Sequence, residues 1–332
     1  MLEVDAEVDR REFAVAARFQ VAPGERLALF GPSGSGKTTI LEMIAGLVAP
    51  RRARIVLNGR VLTSTEPPRR AVPPWQRRTG LLRQDPGLFP HLTVRQNLEY
   101  GAGRPGRPLQ TARLAAPLGL EGLLDDPPAR LSGGQAHRVA IGRLLLAHCD
   151  ALLLDEPYTG LDAGLRRVLT GLVRSLAADR QVPAVLVAHE LAEAQAFADR
   201  LAVLDRGRIA QVAAPADVVL RPASRRVAEL VGYQGFVPLP GQGQPAVVAG
   251  VHPDRVVAGA HPGRGPVLSG VLGARRPAGA GWEAELAVAG VTVLVRLPDP
   301  LPAGPELTVT ALEPPWFAAD GTLVARPERV RT

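Results

Sequence analysis

Lys37 is the only lysine among the 39 lysine and arginine residues of this chain, and it lies in a glycine-rich loop. Residues 31–38 read GPSGSGKT, which matches the pattern GxxxxGK[ST]. An ammonium group meets β- and γ-phosphates as a compact point charge, where a guanidinium group would be too bulky. By chance, a lone lysine would occupy this position in about one of 39 draws from the basic sites. The loop is therefore predicted to bind a nucleoside triphosphate.

The segments on either side of this loop predict a strand and a helix. The apolar run 26–30 is typical of a buried parallel strand, and apolar residues at helical spacing over 38–48 predict a helix that ends before Pro50. Loop amides and the positive helix end would face phosphate oxygens, and the Thr38 hydroxyl would coordinate Mg²⁺. The predicted nucleotide-binding residues are Gly31, Pro32, Ser33, Gly34, Ser35, Gly36, Lys37, Thr38 and Thr39.

Two further segments follow about a hundred residues later. Ser132-Gly-Gly-Gln135 precedes an apolar helical stretch, and by itself it indicates only a helix N-cap. The run 151–155 predicts a buried strand that ends in the carboxylates Asp155 and Glu156. Strands often end in acidic residues simply because they reach solvent. Beside a phosphate loop, however, the first carboxylate is predicted to hold Mg²⁺ and the second to orient water.

In this order, the motifs resemble the nucleotide-binding subunit of ATP-binding cassette (ABC) transporters over roughly residues 1–232. The resemblance implies an α/β fold of the P-loop NTPase type: a parallel sheet with helices, an antiparallel edge and a helical insertion at about 85–131. The matched motifs are the Walker A loop Gly31 to Thr39, the Q-loop Gln84, the signature Leu131 to Gln135, Walker B Asp155 and Glu156, the D-loop Leu161-Asp162, and the switch His189.

The resemblance also implies a role for each matched side chain. Mg²⁺ would be held by Thr38, Gln84 and Asp155. Glu156 would act as the general base, with Gln84 and His189 completing the catalytic set. A lone histidine at a strand end is more often structural, but the surrounding motifs favour the functional reading. In a homodimer, the signature residues Ser132, Gly133, Gly134 and Gln135 would contact the nucleotide on the partner. Asp162 is a further predicted ATP-binding residue.

The helical insertion is where membrane partners would bind. Leu88 to Val94 resembles the stretch by which importer ATPases grip a coupling helix of a permease, and exposed Leu88 and Phe89 would suit such a groove. The alternative is a loop whose apolar residues pack inward. The resemblance implies two transmembrane permease subunits as partners and, indirectly, a periplasmic or extracellular binding protein.

Composition agrees with a cytosolic protein, and the resemblance implies peripheral attachment at the cytoplasmic face of the membrane. The 332 residues suggest about two domains, 46% apolar content is ample for cores, and a single Cys149 excludes an intrachain disulfide framework. No apolar run approaches bilayer length, and the N-terminus lacks signal-peptide features. The net charge is +7, but arginine pairs are scattered and aromatic residues make up only 4%, so nucleic-acid binding is not expected.

The composition and the periodicity of the chain change after Gly232. Residues 233–245 are predicted to be a linker, because Gly, Pro and Gln recur there without periodicity. Residues 246–332 are predicted to form a small all-β barrel of the OB-like type, with strands at 283–289, 291–297 and 307–312. The stretch Val251 to Val256 resembles the start of the TOBE (MOP-like) domain appended to many importer ATPases.

The transported substrate is the least determined feature. Segments 54–62 and 84–91 look most like the molybdate importer ATPase, and the alternatives are importers of sulfate, ferric iron, polyamines or sugars, or a soluble ABC ATPase. Three departures from the family stand out. The region around Arg264 and Gly270 lacks the Ser and Asn of the oxyanion motif SxRNxLxG, His137 stands where the family usually has glutamine, and Arg83 replaces an aromatic residue. Phe13 is the candidate for stacking on adenine, with plain packing as the equal alternative.

Overall fold

The computed structural model describes residues 1–102, 114–239, 247–261, 263–300 and 304–325. It contains two compact units, residues 1–215 and 216–332. Within the described residues, no helix is both long and apolar enough to cross a bilayer.

The first unit is built on one mixed sheet. Its strands are β1 (Leu2–Asp9), β2 (Ala14–Val21), β3 (Arg26–Phe30), β4 (Arg52–Leu57), β5 (Arg60–Ser64), β6 (Arg70–Ala71), β7 (Thr79–Leu82), β8 (Ala151–Asp155), β9 (Ala184–Ala188), β10 (Arg200–Asp205) and β11 (Arg208–Ala213). They lie in the order β6-β5-β4-β1-β2-β11-β10-β3-β9-β8-β7. The strands from β10 to β7 run parallel, whereas β6, β5, β4, β1 and β2 pair antiparallel. The predicted parallel sheet with an antiparallel edge is confirmed.

Helices of the first unit follow the strands. They are α1 (Lys37–Ala45), α2 (Val94–Gly101), α3 (Gly133–Leu146), α4 (Ala163–Arg180) and α5 (Leu191–Phe197). The described part of the predicted insertion is helical, with α2 and single turns at 121–123 and 128–130, while residues 103–113 lie outside the described residues.

Burial explains why the two halves of the sheet differ. Every residue of β8 and β9 is buried, as expected for parallel strands that are covered on both faces. In β1 buried residues alternate with partly exposed ones, so one face packs on the core while the other faces outward. The core lies between this sheet and α1, whose Ile40, Leu41 and Ile44 are fully buried.

Arg77 holds the end of α1 in place from within the core. Its guanidinium is buried and donates to the carbonyl oxygens of Met43 and Ile44 at 3.1 and 2.8 Å, near the C-terminus of α1. It also donates to the Val72 carbonyl at 2.8 Å and the Thr63 hydroxyl at 2.9 Å. A positive charge at a helix C-terminus is favourable, and the planar fork satisfies four acceptors at once.

Replacing Arg77 with lysine should therefore lower the free energy of unfolding by about 2 to 4 kcal/mol, because one ammonium group cannot reach all four buried acceptors. Urea denaturation would measure the change. The matched control is Arg78→Lys, since Arg78 is exposed and pairs with Asp150 at 3.1 Å. An Arg77 effect no larger than that of the control would contradict this assignment.

The second unit is dominated by antiparallel sheets. After α6 (Pro215–Leu220) and α7 (Arg225–Leu230), its strands are β12 (Gly235–Leu239), β13 (Val247–Val251), β14 (Val256–Ala258), β15 (Val267–Ala278), β16 (Gly281–Val288), β17 (Val291–Pro298), β18 (Glu306–Ala311), β19 (Trp316–Phe317) and β20 (Leu323–Val324). They form the sheets β12-β13-β19-β20 and β14-β18-β15-β16-β17. The all-β prediction is confirmed, and the three predicted strands match β16, β17 and β18 closely.

The sequence predicts a domain boundary after residue 232, whereas the structure divides the chain into compact units between Pro215 and Ala216. Both α6 and α7 pack within the second unit. Tyr233 donates from its hydroxyl to the Val219 carbonyl at 2.8 Å, and the Arg225 amide donates to the Gly321 carbonyl at 2.9 Å. These contacts join residues about 15 to 100 positions apart, which local composition cannot reveal.

The predicted linker 233–245 also needs correction. Residues Gly235–Leu239 form β12, which pairs antiparallel with β13, and Val237 is fully buried. Pro238 is tolerated because β12 lies at the edge of its sheet. The remaining predicted linker positions, 240–245, lie outside the described residues.

We expect residues 1–215 to fold and hydrolyse ATP without the second unit, at a rate within a few-fold of the full chain. A fragment that ends at residue 232 should be less soluble, because it leaves Val218, Val227 and Ala228 without their buried surroundings. Soluble yield and phosphate release of the two fragments test both statements. An inactive or unfolded 1–215 fragment would show that the division does not separate independent units.

Candidate functional site

Four adjacent parallel strands bring most of the predicted site residues to one edge of the sheet. Strands β3, β9, β8 and β7 are neighbours in that order, and Phe30, Ala188, Asp155 and Leu82 lie at their carboxyl ends. The phosphate loop follows β3, His189 follows β9, Glu156 follows β8, and Gln84 lies two residues beyond β7. Ligands of open α/β sheets bind in the crevice outside these strand ends.

The phosphate loop, residues 31–36, connects β3 to α1 by a tight path that only glycine allows. Gly36 has a φ of 103°, and a side chain there would approach Val15 to 2.7 Å. At Gly31 a Cβ atom would lie 2.2 Å from the Leu204 carbonyl oxygen. Glycine at these two positions keeps the loop backbone close to the sheet, with the amides at the α1 N-terminus open to an anion.

Lys37 lies at the first position of α1 and folds back over the loop. Its Nζ donates to the carbonyl oxygens of Gly31 at 2.8 Å and Pro32 at 2.9 Å. Burial lowers the pKa of the ammonium group, while the nearby carboxylates Glu156 and Asp155 raise it. The positive charge of Lys37 is thus held at the loop, between the two acidic residues and the space where phosphates would bind.

The residues of the loop fit a triphosphate. Among the described residues, the Ser35 hydroxyl is one of the few buried polar side-chain groups without a hydrogen-bond partner. Pro32, Ser33 and Gly34 are exposed at the top of the loop, and a side chain at Gly34 would meet nothing within 4 Å. An unpartnered hydroxyl, a buried ammonium and open backbone amides together suit an anion with several oxygens.

Asp155 and Thr38 form the centre that would hold a divalent cation. The Thr38 hydroxyl donates to Asp155 Oδ1 at 3.0 Å, which joins the start of α1 to the end of β8. Burial raises the pKa of Asp155, and the hydrogen bond from Thr38 opposes that rise. Hydroxyl and carboxylate oxygens are the ligands that Mg²⁺ prefers, so this donor set fits the ion.

Glu156 adopts a backbone conformation that is unusual for a non-glycine residue. Its φ is 48°, and its amide donates to the Val187 carbonyl of β9 at 3.2 Å. Left-handed conformations of this kind cost energy and concentrate at functional sites. The turn thus directs Glu156, which immediately follows Asp155, away from β8.

His189 is exposed at the end of β9, and near it lies a carboxyl group that sequence reasoning missed. Glu193 is in the first turn of α5, and burial is the main cause that raises its pKa to about 7, while the backbone of His189 and Glu190 opposes that rise. Its Oε1 atom is buried without a hydrogen-bond partner among the described residues. The signal in the sequence is a glutamate at the third position of a helix, which is typical of N-terminal capping.

Because of this shift, Glu193 should make stability depend on pH. In the unfolded chain the carboxyl loses its proton near pH 4.5, whereas in the folded chain it keeps the proton up to about pH 7. Folding therefore becomes less favourable as pH rises through this window. Between pH 4.5 and 8, the free energy of unfolding of wild type should fall by about 2 to 3 kcal/mol more than that of Glu193→Gln, which has no carboxyl to ionise. Urea titrations at several pH values measure this difference.

The control for that series is Asp179→Asn, which removes an exposed carboxylate near the end of α4. The difference in free energy of unfolding between Asp179→Asn and wild type should change little across the same pH range. Parallel stability curves for Glu193→Gln and wild type would contradict the buried carboxyl assignment.

The predicted signature residues lie at a different helix end. Ser132 caps α3 by accepting from the Gln135 amide at 3.2 Å, and the Gln135 side chain accepts from the Ser132 amide at 2.8 Å. A side chain at Gly133 or Gly134 would meet nothing within 4 Å, so this helix start is open. Within the described ranges, no hydrogen bond joins Ser132 to Gln135 with the phosphate loop of the same chain.

Asp162 is likewise a helix cap. It accepts from the Leu165 amide at 3.0 Å at the start of α4, and this bond is the main cause that lowers its pKa. The structure therefore gives Asp162 a local stabilising role, and its contact with ATP stays a prediction.

The structure adds contacts for two residues of the segment that joins β1 to β2. Arg10 Nη2 donates to the Thr39 hydroxyl at 3.2 Å, a contact over 29 positions that no motif signals. Phe13 is half-buried and packs against the core of the first unit, which agrees with the packing alternative. Its stacking on adenine remains a prediction.

Comparison with known proteins gives the family. Residues 16–159 match the family model described as ABC transporter. The chain is 34% identical over 340 residues to the molybdenum import ATP-binding protein ModC of Paramagnetospirillum magneticum, covering 99% of this chain and 89% of that protein. It is 43% identical over 221 residues to the Fe(3+) ions import ATP-binding protein FbpC of Mesorhizobium japonicum, covering 66% of this chain.

The match to FbpC covers 61% of that relative's length, so the chain spans about three fifths of it. Among solved structures, one described as the ATP binding subunit of an ABC transporter aligns with a TM-score of 0.57 at 29% identity, covering 70% of this chain and 95% of that one. With the motifs gathered at the ends of β3, β7, β8 and β9, these matches show that the chain belongs to the ABC transporter family of ATP-binding proteins.

Proposed function

We propose that this chain binds and hydrolyses ATP as the energising subunit of an importer. The observation that supports this best is the convergence of Lys37, Asp155, Glu156, His189 and Gln84 at the carboxyl ends of four neighbouring parallel strands. A binding-only protein would not need a carboxylate directly after the cation-binding aspartate. Phosphate release by the purified chain, with Mg-ATP, tests the proposal.

The residues divide the work of hydrolysis. Lys37 and the amides of the phosphate loop hold the triphosphate, and Glu156 accepts a proton from the attacking water. His189 contacts the γ-phosphate and fixes the geometry. Thr38, Asp155 and Gln84 would hold Mg²⁺, which supplies positive charge that stabilises the phosphate oxygens.

The open helix start at Ser132 supports a homodimer. The open backbone amides there form a second anion site. Because the signature does not bond the phosphate loop of its own subunit, it is available to bind the ATP of a partner. Each of two sites would then combine the phosphate loop of one subunit with Ser132 to Gln135 and Asp162 of the other.

The segment after Gln84 is our candidate for contact with two permease subunits. Phe89 is half-buried, its ring lies 4.4 Å from that of Tyr100, and Tyr100 is 62% exposed. Arg143 of α3 donates to the carbonyl oxygens of Gly87 and Pro86, both at 2.9 Å. The apolar side chains are thus less exposed than the sequence suggested, and α3 supports the segment from behind. A docked permease helix would place this chain at the cytoplasmic face of the membrane.

Molybdate, or a related oxyanion, is our proposed substrate. The support is the molybdenum import relative, which matches 99% of this chain, whereas the iron import relative matches 66%. The second unit would then be a TOBE-type domain. Other importer substrates and a soluble ABC ATPase are the alternatives.

Uptake measurements distinguish these substrates. A host without its own molybdate importer would be complemented with this chain together with candidate permease and binding-protein genes. We expect ATP-dependent uptake of labelled molybdate that is lost with Lys37→Ala. Uptake of labelled sulfate or ferric iron instead would reassign the substrate, and no ATP hydrolysis by the chain with its permease would overturn the ATPase proposal itself.

A further inference from the structure

His137 joins the signature helix to the catalytic turn of the same chain. It lies on the buried face of α3, five residues after the Ser132 cap, and its Nε2 is 2.8 Å from the Pro157 carbonyl oxygen. Because a carbonyl oxygen only accepts hydrogen bonds, Nε2 must carry a proton and donate. Burial lowers the pKa of His137, which keeps the imidazole neutral at pH 7.

The acceptor of this bond follows the general base directly. Pro157 comes after Glu156, whose φ of 48° marks a strained turn, and the Glu156 amide is held by Val187 of β9 at 3.2 Å. The turn 155–157 is therefore fixed on one side by β9 and on the other by His137 of α3. Such a turn keeps one conformation only when its surroundings determine it.

We infer that His137 is a positioning residue for ATP hydrolysis: through Pro157 it fixes the backbone that carries Glu156, and so couples the signature helix to the general base. This inference rests on the proposed function. Its consequence is that docking of Ser132 to Gln135 against a partner's ATP changes the placement of Glu156 in the subunit that supplies the signature.

The side-chain chemistry explains how a histidine can serve here. In glutamine and histidine the Nε2 atom is the same number of bonds from Cα, so both can donate to the Pro157 carbonyl. Leucine fills a similar volume without a donor, and it would leave that buried carbonyl unsatisfied.

The test compares steady-state hydrolysis by His137→Leu, His137→Gln and wild type. The leucine variant should lose about tenfold to a hundredfold in kcat, with KM for ATP within about twofold, because the phosphate loop is untouched. The glutamine variant should stay within about threefold of wild type. His148→Leu is the matched control, since His148 is exposed just beyond the same helix.

A second comparison separates positioning from simple stabilisation. If His137 acts through Glu156, then adding His137→Leu to the Glu156→Gln variant should lower its rate of ATP hydrolysis little or not at all. If the effect of His137→Leu is purely structural, the losses in rate of the two substitutions should add in full. If the leucine variant does not fold, His137→Asn replaces it, because the shorter amide stops one bond short of Pro157.

Three results would overturn the inference. They are a leucine variant with wild-type kcat, losses that add fully in the double variant, and histidine-selective ¹⁵N NMR that shows the proton of His137 on Nδ1 instead of Nε2. Wild-type chain that hydrolyses no ATP would instead refute the proposed function, and the NMR measurement would still report on the hydrogen bond alone.

Discussion

Glu156→Gln should hydrolyse ATP about 10² to 10⁴ times more slowly than wild type, the usual contribution of a general base. The amide keeps the shape of the side chain and can bond a water molecule, but it cannot accept that water's proton. Glu156 directly follows Asp155, and its side chain takes part in neither the hydrogen bonds of Lys37 to the loop nor the Thr38–Asp155 bond at 3.0 Å. ATP affinity should therefore remain within a few-fold of wild type, as calorimetry would show.

The same variant should accumulate as a dimer when Mg-ATP is present. Uncleaved ATP would persist between the phosphate loop of one subunit and Ser132 to Gln135 of the other. Size-exclusion chromatography should show this dimer with ATP and mainly monomer without it.

Two controls define that experiment. Glu66→Gln, which changes an exposed carboxylate after β5, should leave turnover unchanged. Ser132→Ala in the Glu156→Gln background should weaken the dimer. Near-normal turnover by Glu156→Gln would remove this residue from the mechanism, and a variant that stays monomeric at saturating Mg-ATP would refute the dimer.

Lys37→Ala should weaken ATP binding by about 10²-fold or more, because a buried ammonium that makes charge-assisted bonds to phosphate is lost. In the structure this group is held by the carbonyl oxygens of Gly31 and Pro32, at 2.8 and 2.9 Å, beside the place where phosphates would lie. Isothermal calorimetry with Mg-ATP measures the change.

Lys37→Arg is the informative companion variant. It keeps the positive charge, but a planar guanidinium is too bulky for the space between the two loop carbonyls, so we expect binding to be lost as well. Circular dichroism and thermal unfolding confirm that both variants fold. Unchanged affinity in the alanine variant would contradict the phosphate-loop assignment.

Local patterns in the sequence were enough to predict the candidate site residues and the elements that bear them. Two motifs can be recognised by local rules alone: the loop GPSGSGKT between an apolar run and a helical pattern, and the two carboxylates at the end of 151–155. The rules are that apolar strands end where polar side chains begin and that glycine permits close backbone approach. Neighbouring parallel strands place their carboxyl ends together, so the site could be expected once these strands were recognised. Strands β16, β17 and β18 of the second unit could be predicted because their alternation and turns are also local.

The contacts that join distant parts of the chain could be known only from the folded structure. The Tyr233 bond to Val219 and the pairing of β12 with β13 move the division between units to residue 215 and turn a predicted linker into a strand. The His137 bond to Pro157 spans 20 residues. Glu193, which resembles any helix-capping residue in the sequence, has its pKa raised to about 7 because the folded chain buries it. Burial and partners at long range depend on how elements pack, and local composition and periodicity carry no record of that packing.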